Sequence, residues 1–351
     1  MKRILAVILT VAMIFVITSC SKSDNSSQAD VKEANKDLIA HIDSVLKNNS
    51  LSGVIYLTQN GQPVYEYANG SDKEGNKLKP DTTIFIGSVS KQFCAAAVMI
   101  LRDEGKLSVD DTIDKYFPEY KLGKKITVKN LLTMRSGIYD MVNDAVSLDV
   151  SPDYTEEENT AIVKKWIFEQ ELRFEPDTSY AYSNSNYFLL ANIVEQISEQ
   201  SYNDFVRERI FEPLEMTHTG FLSEYNDNPS WAENAVHDAD VDETKIKGLA
   251  KGAGDIMSNG PDMTKWMDGL MNGKIVSKET LDEMTENYSP DTGEEYGYGL
   301  ESLLNGNGQQ GAISSYVSTD YFNREKGYCL FSSGYSEDLL YMPSILLKDF
   351  V

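Results

Sequence analysis

The chain has 351 residues, of which 41% are hydrophobic, and its 55 Asp and Glu outweigh its 32 Lys and Arg for a formal charge of -23. That apolar share supports a sizeable core in one large domain or two, and the acidic balance argues against nucleic acid as a partner, because a polyanion is repelled. Three cysteines imply no disulfide framework, and the three histidines, His41, His218 and His237, are too scattered for a zinc pattern.

Lys2 and Arg3 precede an apolar run from Ile4 to Ile17, followed by Thr18-Ser19-Cys20. The run is short for a membrane span, so residues 1–19 read as a secretory signal peptide. Ile17-Thr18-Ser19-Cys20 resembles a bacterial lipobox, which implies cleavage before Cys20 and lipid on that cysteine; an ordinary cleaved signal is the alternative. Loss of Lys2 and Arg3 takes the charge from -23 to -25. Residues 20–36, rich in Ser, Asp, Asn, Gln and Lys with almost nothing apolar after Cys20, read as a flexible tether. The expected location is extracytoplasmic, lipid-anchored to a bacterial membrane, with the folded domain at 37–351.

Residues 36–48 place Leu38, Ile39, Ile42, Val45 and Leu46 at helical spacing. Gly53–Thr58, an Asn60-Gly61 turn and Pro63–Tyr67 read as a β-hairpin. After Pro80-Asp81, a helix opening at Ser88 carries Phe93, Ala96, Ala97, Ile100 and Leu101 as a buried stripe and ends at Gly105. Further helices are expected at 126–134, 156–170, 185–199 and 202–211, another from Pro261 to Met271, and one capped by Ser277. Strands are expected at 296–303, 311–318 and 328–333, then a terminal helix from Ser336. The fold class is therefore α/β of the α+β kind: a mixed, mainly antiparallel sheet from about 37–85 and 245–351, with flanking helices and a helical region inserted at about 86–244.

Ser88-Val89-Ser90-Lys91 sets a hydroxyl and an amine three residues apart, on one face of a helical turn and close enough to exchange a proton. Alone the spacing is weak evidence, since S-x-x-K arises by chance about once or twice in such a chain. Tyr182-Ser183-Asn184 adds a phenol, which could act as a base only beside positive charge such as Lys91, and an amide that could hold a substrate or orient Lys91.

With their surroundings these residues resemble the serine beta-lactamase-like hydrolases, in the branch of class C beta-lactamases, D-alanyl-D-alanine carboxypeptidases and related esterases. Phe85 to Phe93 resembles the nucleophile segment, and Glu104-Gly105-Lys106-Leu107 with Asp110-Asp111 the segment after it. Asn130-Leu131-Leu132-Thr133 with Ser136-Gly137, Tyr182-Ser183-Asn184, and Glu212-Pro213-Leu214 with Met216 follow in family order. The resemblance implies a beta-lactamase/transpeptidase-like fold with Ser88 as nucleophile and Lys91 as its proton acceptor. It makes Tyr182 a base or leaving-group acid, Asn184 a substrate-binding amide and the Ser88 backbone amide half of an oxyanion hole. It implies neither metal nor cofactor.

The family's third motif, H-T-G or K-T-G on the strand lining the site, is altered. Its counterpart lies within Asn305 to Ser315: with Gly308 as the motif glycine, Gly306 takes the cation position, and a slip of one residue puts Asn307 there instead; Asn307, Gly308 and Gln309 are the candidate substrate-binding residues. No alignment supplies the usual cation. Loss of that cation implies weak or absent beta-lactamase activity, because a substrate carboxylate loses an anchor. The expected function is an extracytoplasmic serine hydrolase forming an acyl-enzyme with a small amide or ester, a cell-wall peptide among the candidates. The alternative is an impaired homologue that binds a wall fragment or protein partner in the same cleft.

Overall fold

A computed structural model describes residues 28–143, 148–238, 241 and 245–351. The expected signal peptide and Cys20 lie outside the described residues. The tether expectation changes over its second half, where Gln28–Ala34 forms helix α1 with no buried residue. It is tied on by Asn35, whose side-chain amide donates to Val31 O and Gln59 Oε1 and whose Oδ1 accepts from the Tyr328 hydroxyl at 2.6 Å. One buried asparagine thus anchors a segment whose composition suggested no structure.

Helix α2 (Lys36–Asn48) is followed by β1 (Gly53–Gln59) and β2 (Gln62–Asn69). These pair with a C-terminal meander of β6 (Glu301–Leu303), β7 (Gly306–Ile313), β8 (Tyr316–Asn323) and β9 (Tyr328–Gly334). The sheet order is β2-β1-β9-β8-β7-β6, with every pairing antiparallel, so β1 against β9 joins the two ends of the chain. The expected strand at 311–318 is instead two strands turning at Ser314-Ser315; Ser314 takes a φ of +53° there. A second small sheet, not evident in the sequence, orders Ile84–Phe85 (β3), Ile256–Ser258 (β5) and Gly220–Phe221 (β4). Strands of two or three residues carry too little alternation to be read.

Alternation assigns each face of the large sheet. Ile55, Leu57, Tyr321 and Leu330 pack on α2 and the C-terminal helix Met342–Leu347, while Val54, Phe322, Cys329 and Phe331 face the main core. In that core lies α3 (Lys91–Asp103), buried at every residue from Lys91 to Leu101. A helix buried all round has no solvated face, so its polar groups must find internal partners. Gln92 does so, donating to Asp320 Oδ1 at 2.6 Å and accepting from Trp266 Nε1 at 2.9 Å. The inserted helices α4 (Val128–Leu132), α5 (Glu156–Glu169) and α6 (Asn184–Ser198) lie between the sheet segments in sequence, and α4 and α5 each begin with a threonine capping box. Among the described residues no helix is long and apolar enough to cross a membrane.

Candidate active site

Ser88 sits in a 3-10 turn, Gly87–Ser90, and α3 starts only at Lys91. In a 3-10 turn side chains three residues apart eclipse, which brings Ser88 and Lys91 together more directly than an α-turn would. Gly87 enters the turn with a φ of +51°, and a Cβ there would lie 2.9 Å from Ala312 N of β7. Gly311 approaches from the other side: its Cβ would fall 2.2 Å from Ile86 O and 2.9 Å from Ser88 N. Two glycines therefore let the turn and β7 meet backbone to backbone. The Ser88 hydroxyl does not cap α3.

Lys91 Nζ donates to Ser88 Oγ at 3.0 Å, Asn184 Oδ1 at 2.8 Å and Ala253 O at 2.6 Å. Burial pushes its pKa down to about 7, against the opposing pull of Asp140, Cys94, Asp255 and Glu301. Near neutrality much of the amine is therefore uncharged; it can keep two donated bonds and turn its lone pair to the serine proton.

Asn184, the first residue of α6, gives its backbone N–H and its side-chain amide to the Asp140 carboxylate. That contact turns Oδ1 toward Lys91. The Asp140 loop is bound to the same helix end, because Ser136 Oγ donates to Asn186 Oδ1 at 2.6 Å and Ser185 Oγ to Tyr139 O at 2.7 Å. Asp140 follows the Ser136-Gly137 segment by three residues and could have been suspected from that closeness, but nothing in its own spacing marks it.

Tyr182 offers Lys91 its ring face, 4.9 Å from Nζ to the centroid. Its hydroxyl is buried without a hydrogen-bond partner among the described residues. Burial pushes its pKa well up, with the Ser88 hydroxyl pulling the other way. The expectation that Lys91 would make this phenol acidic therefore does not hold: burial outweighs the amine, which lies over the ring and is itself only partly charged near neutrality.

The third-motif assignment also shifts. Gly311, not Gly308, faces Ser88, so Gln309-Gln310-Gly311 occupies the place of the motif. Gly308 instead backs on Asp320 O and pairs with Glu301, and neither it nor Asn307 lines the cavity beside Ser88. The sequence offers several glycines in this stretch, and only strand register decides among them. Gln309 does line the cavity, with its N–H donating to Asp320 Oδ1 at 2.9 Å and its Oε1 unpartnered. The cavity, about 670 Å³, is bounded by Ser88, Tyr182, Asn184, Gln309, Gly311 and Glu301. Glu301 was not anticipated, since a single glutamate after an apolar run has no motif. Cys94 and Cys329 are both buried and free. Among the described residues no group of three or more His, Cys, Asp or Glu could hold a metal.

A serine and an amine base on one turn, walled by an antiparallel strand, form a nucleophilic site that needs no histidine, and the surrounding sheet with inserted helices is the beta-lactamase/transpeptidase-like fold. The family model for beta-lactamase matches residues 37–331, and the chain belongs to that family, as a serine hydrolase. It is 29% identical over 284 residues to the penicillin-binding-like protein PbpX of Bacillus subtilis (strain 168), covering 80% of this chain and 68% of that one. It is 25% identical over 313 residues to the teichoic acid D-alanine hydrolase of Staphylococcus aureus (strain MRSA252), covering 86% and 75%. The structure of FmtA from Staphylococcus aureus shares the fold with a TM-score of 0.74, at 23% identity over 90% of each chain.

Proposed function

We propose that the protein is an extracytoplasmic hydrolase that cleaves a small amide or ester of the cell wall through an acyl-enzyme on Ser88, with weak or no beta-lactamase activity. The observation that carries this reading is the 3.0 Å hydrogen bond between Ser88 Oγ and a buried Lys91 whose amine titrates near 7. Ser88 Oγ bonds to the substrate carbonyl carbon as its proton passes to Lys91 Nζ. The resulting ammonium is met by Ala253 O, Asn184 Oδ1 and the Tyr182 ring face. Ser88 N and Ala312 N, on the two touching backbones, are the donors for the oxyanion. The carbonyl bond to the leaving group then breaks, and the leaving group takes a proton from Lys91, directly or through the neutral Tyr182 hydroxyl. Water then attacks the carbonyl of acyl-Ser88 and gives its proton to Lys91; the bond from that carbonyl carbon to Ser88 Oγ breaks, Lys91 returns the proton to Oγ, and the acid leaves.

The name of the Staphylococcus relative, a hydrolase of D-alanine on teichoic acid, supports a wall ester as substrate. The basic and apolar opening of the chain with Cys20 supports export and a lipid anchor. A second reading, an impaired homologue that binds a wall fragment or protein partner, is favoured by Gln309 where a cation is usual. Intact mass after incubation with a fluorophosphonate or a labelled penicillin separates the two. The hydrolase reading expects one fluorophosphonate adduct on the wild type and none on Ser88→Ala; no adduct with either probe favours the binder.

A further inference from the structure

Among the described residues lining the cavity there is no Lys, Arg or His, and the one carboxylate is that of Glu301. It stands at the head of β6, and it lines the cavity together with Gln309, the residue at the place of the family's cation. Its charge reaches both Lys91 and Tyr182, and its own carboxyl is pushed up to about 7, first by burial and then by Glu294, with Lys91 pulling down. The side chain makes no hydrogen bond or ion pair with the other described residues.

We infer that Glu301 is the specificity-determining residue of this site and receives a substrate ammonium close to the scissile carbonyl, so that the preferred substrate is an aminoacyl ester or amide with a free amine. The inference rests on the hydrolase reading above and adds its substrate class. A partly buried carboxylate without a counter-ion is costly, and a ligand ammonium removes that cost through a charge-assisted hydrogen bond. A carboxylate-bearing substrate meets the opposite situation, with repulsion from Glu301 and no cation at Gln309. The site thus has reversed polarity relative to one that anchors a substrate carboxylate. Lys91 does not compete as the counter-ion, because its three bonds are to Ser88, Asn184 and Ala253.

The test compares D-alanyl, N-acetyl-D-alanyl and N-succinyl-D-alanyl esters of one phenol, with fluorophosphonate labelling of Ser88 measured in parallel. The wild type is expected to favour the free-amine ester over the N-acetyl ester at least about ten-fold in kcat/KM, and the succinyl ester least of all. Glu301→Gln should lower kcat/KM for the free-amine ester at least about ten-fold more than for the N-acetyl ester, chiefly through KM, and Glu301→Lys should move the preference to the succinyl ester. Equal use of the three esters by a wild type that labels at Ser88, or an equal fall for all three in Glu301→Gln, overturns the inference and leaves the hydrolase reading standing. Absence of both label and turnover overturns the two together. The wild-type comparison needs no variant to fold.

Discussion

The Asp140 carboxylate accepts three hydrogen bonds from one residue, Asn184: one from its backbone N–H and two from its side-chain amide, each at 3.1 Å. The amide can then point only its oxygen at Lys91, so a residue outside the cavity lining sets the direction of the base. Asp140 also raises the Lys91 pKa by its charge.

Asp140→Asn should therefore change two things at once. Misorientation of Asn184 is expected to lower the plateau kcat/KM about ten-fold or more, and loss of the negative charge should move the acid limb of the pH profile to lower pH. A loss of activity with an unmoved limb would mark Asp140 as merely structural.

Lys91 acts as the neutral amine in this mechanism, so kcat/KM for an uncharged ester should climb as pH rises through about 7 and then level off. Two units below that value the rate should be about 100-fold below the plateau. Lys91→Arg keeps the charge and abolishes the base, with an expected loss of at least about a thousand-fold at every pH. Steady-state rates from pH 5 to 9 check both statements.

Beta-lactam turnover should be poor. A chromogenic cephalosporin is expected to show no hydrolysis above the Ser88→Ala background, because Gln309 supplies no cation and Glu301 repels the substrate carboxylate. Gln309→Lys, placed opposite Asp320 on the neighbouring strand, should raise acylation of Ser88 by labelled penicillin about ten-fold. Rapid hydrolysis by the wild type would contradict this account.

Asp320 is buried beneath the site, and its carboxyl, normally ionised above about 3.8, stays protonated up to about 7, chiefly through burial. An acid with a raised folded pKa contributes stability that is complete below its unfolded pKa and is lost as pH rises from about 4 through about 7. Asp320→Asn retains an oxygen acceptor for Gln92 and Gln309 and cannot ionise. It should raise Tm by about a few degrees at pH 8.5 and lose that advantage by pH 4, as thermal unfolding at the two pH values will show.

Much of the fold was legible because it repeats over several residues. The α2 stripe, the Asn60-Gly61 hairpin and the fully apolar face of α3 each sum many small preferences in one direction. The meander was harder: Gly306, Gly308 and Gly311 offer equivalent punctuation, and a strand expected at 311–318 crossed a real turn at Ser314-Ser315. The two- and three-residue strands of the small sheet gave no periodic signal at all.

The candidate site divides in the same way. Ser88, Lys91, Tyr182 and Asn184 could be named from sequence because their chemistry is carried by short local spacings, and the family follows from those segments in order. Which glycine faces the nucleophile, that Asp140 aims Asn184, that burial brings Lys91 down to about 7 while Tyr182 is not acidic, and that Glu301 stands in the cavity were decided only by the tertiary structure. Register, burial and the charge felt across a cavity arise from residues far apart in the chain, and local spacing holds no record of them.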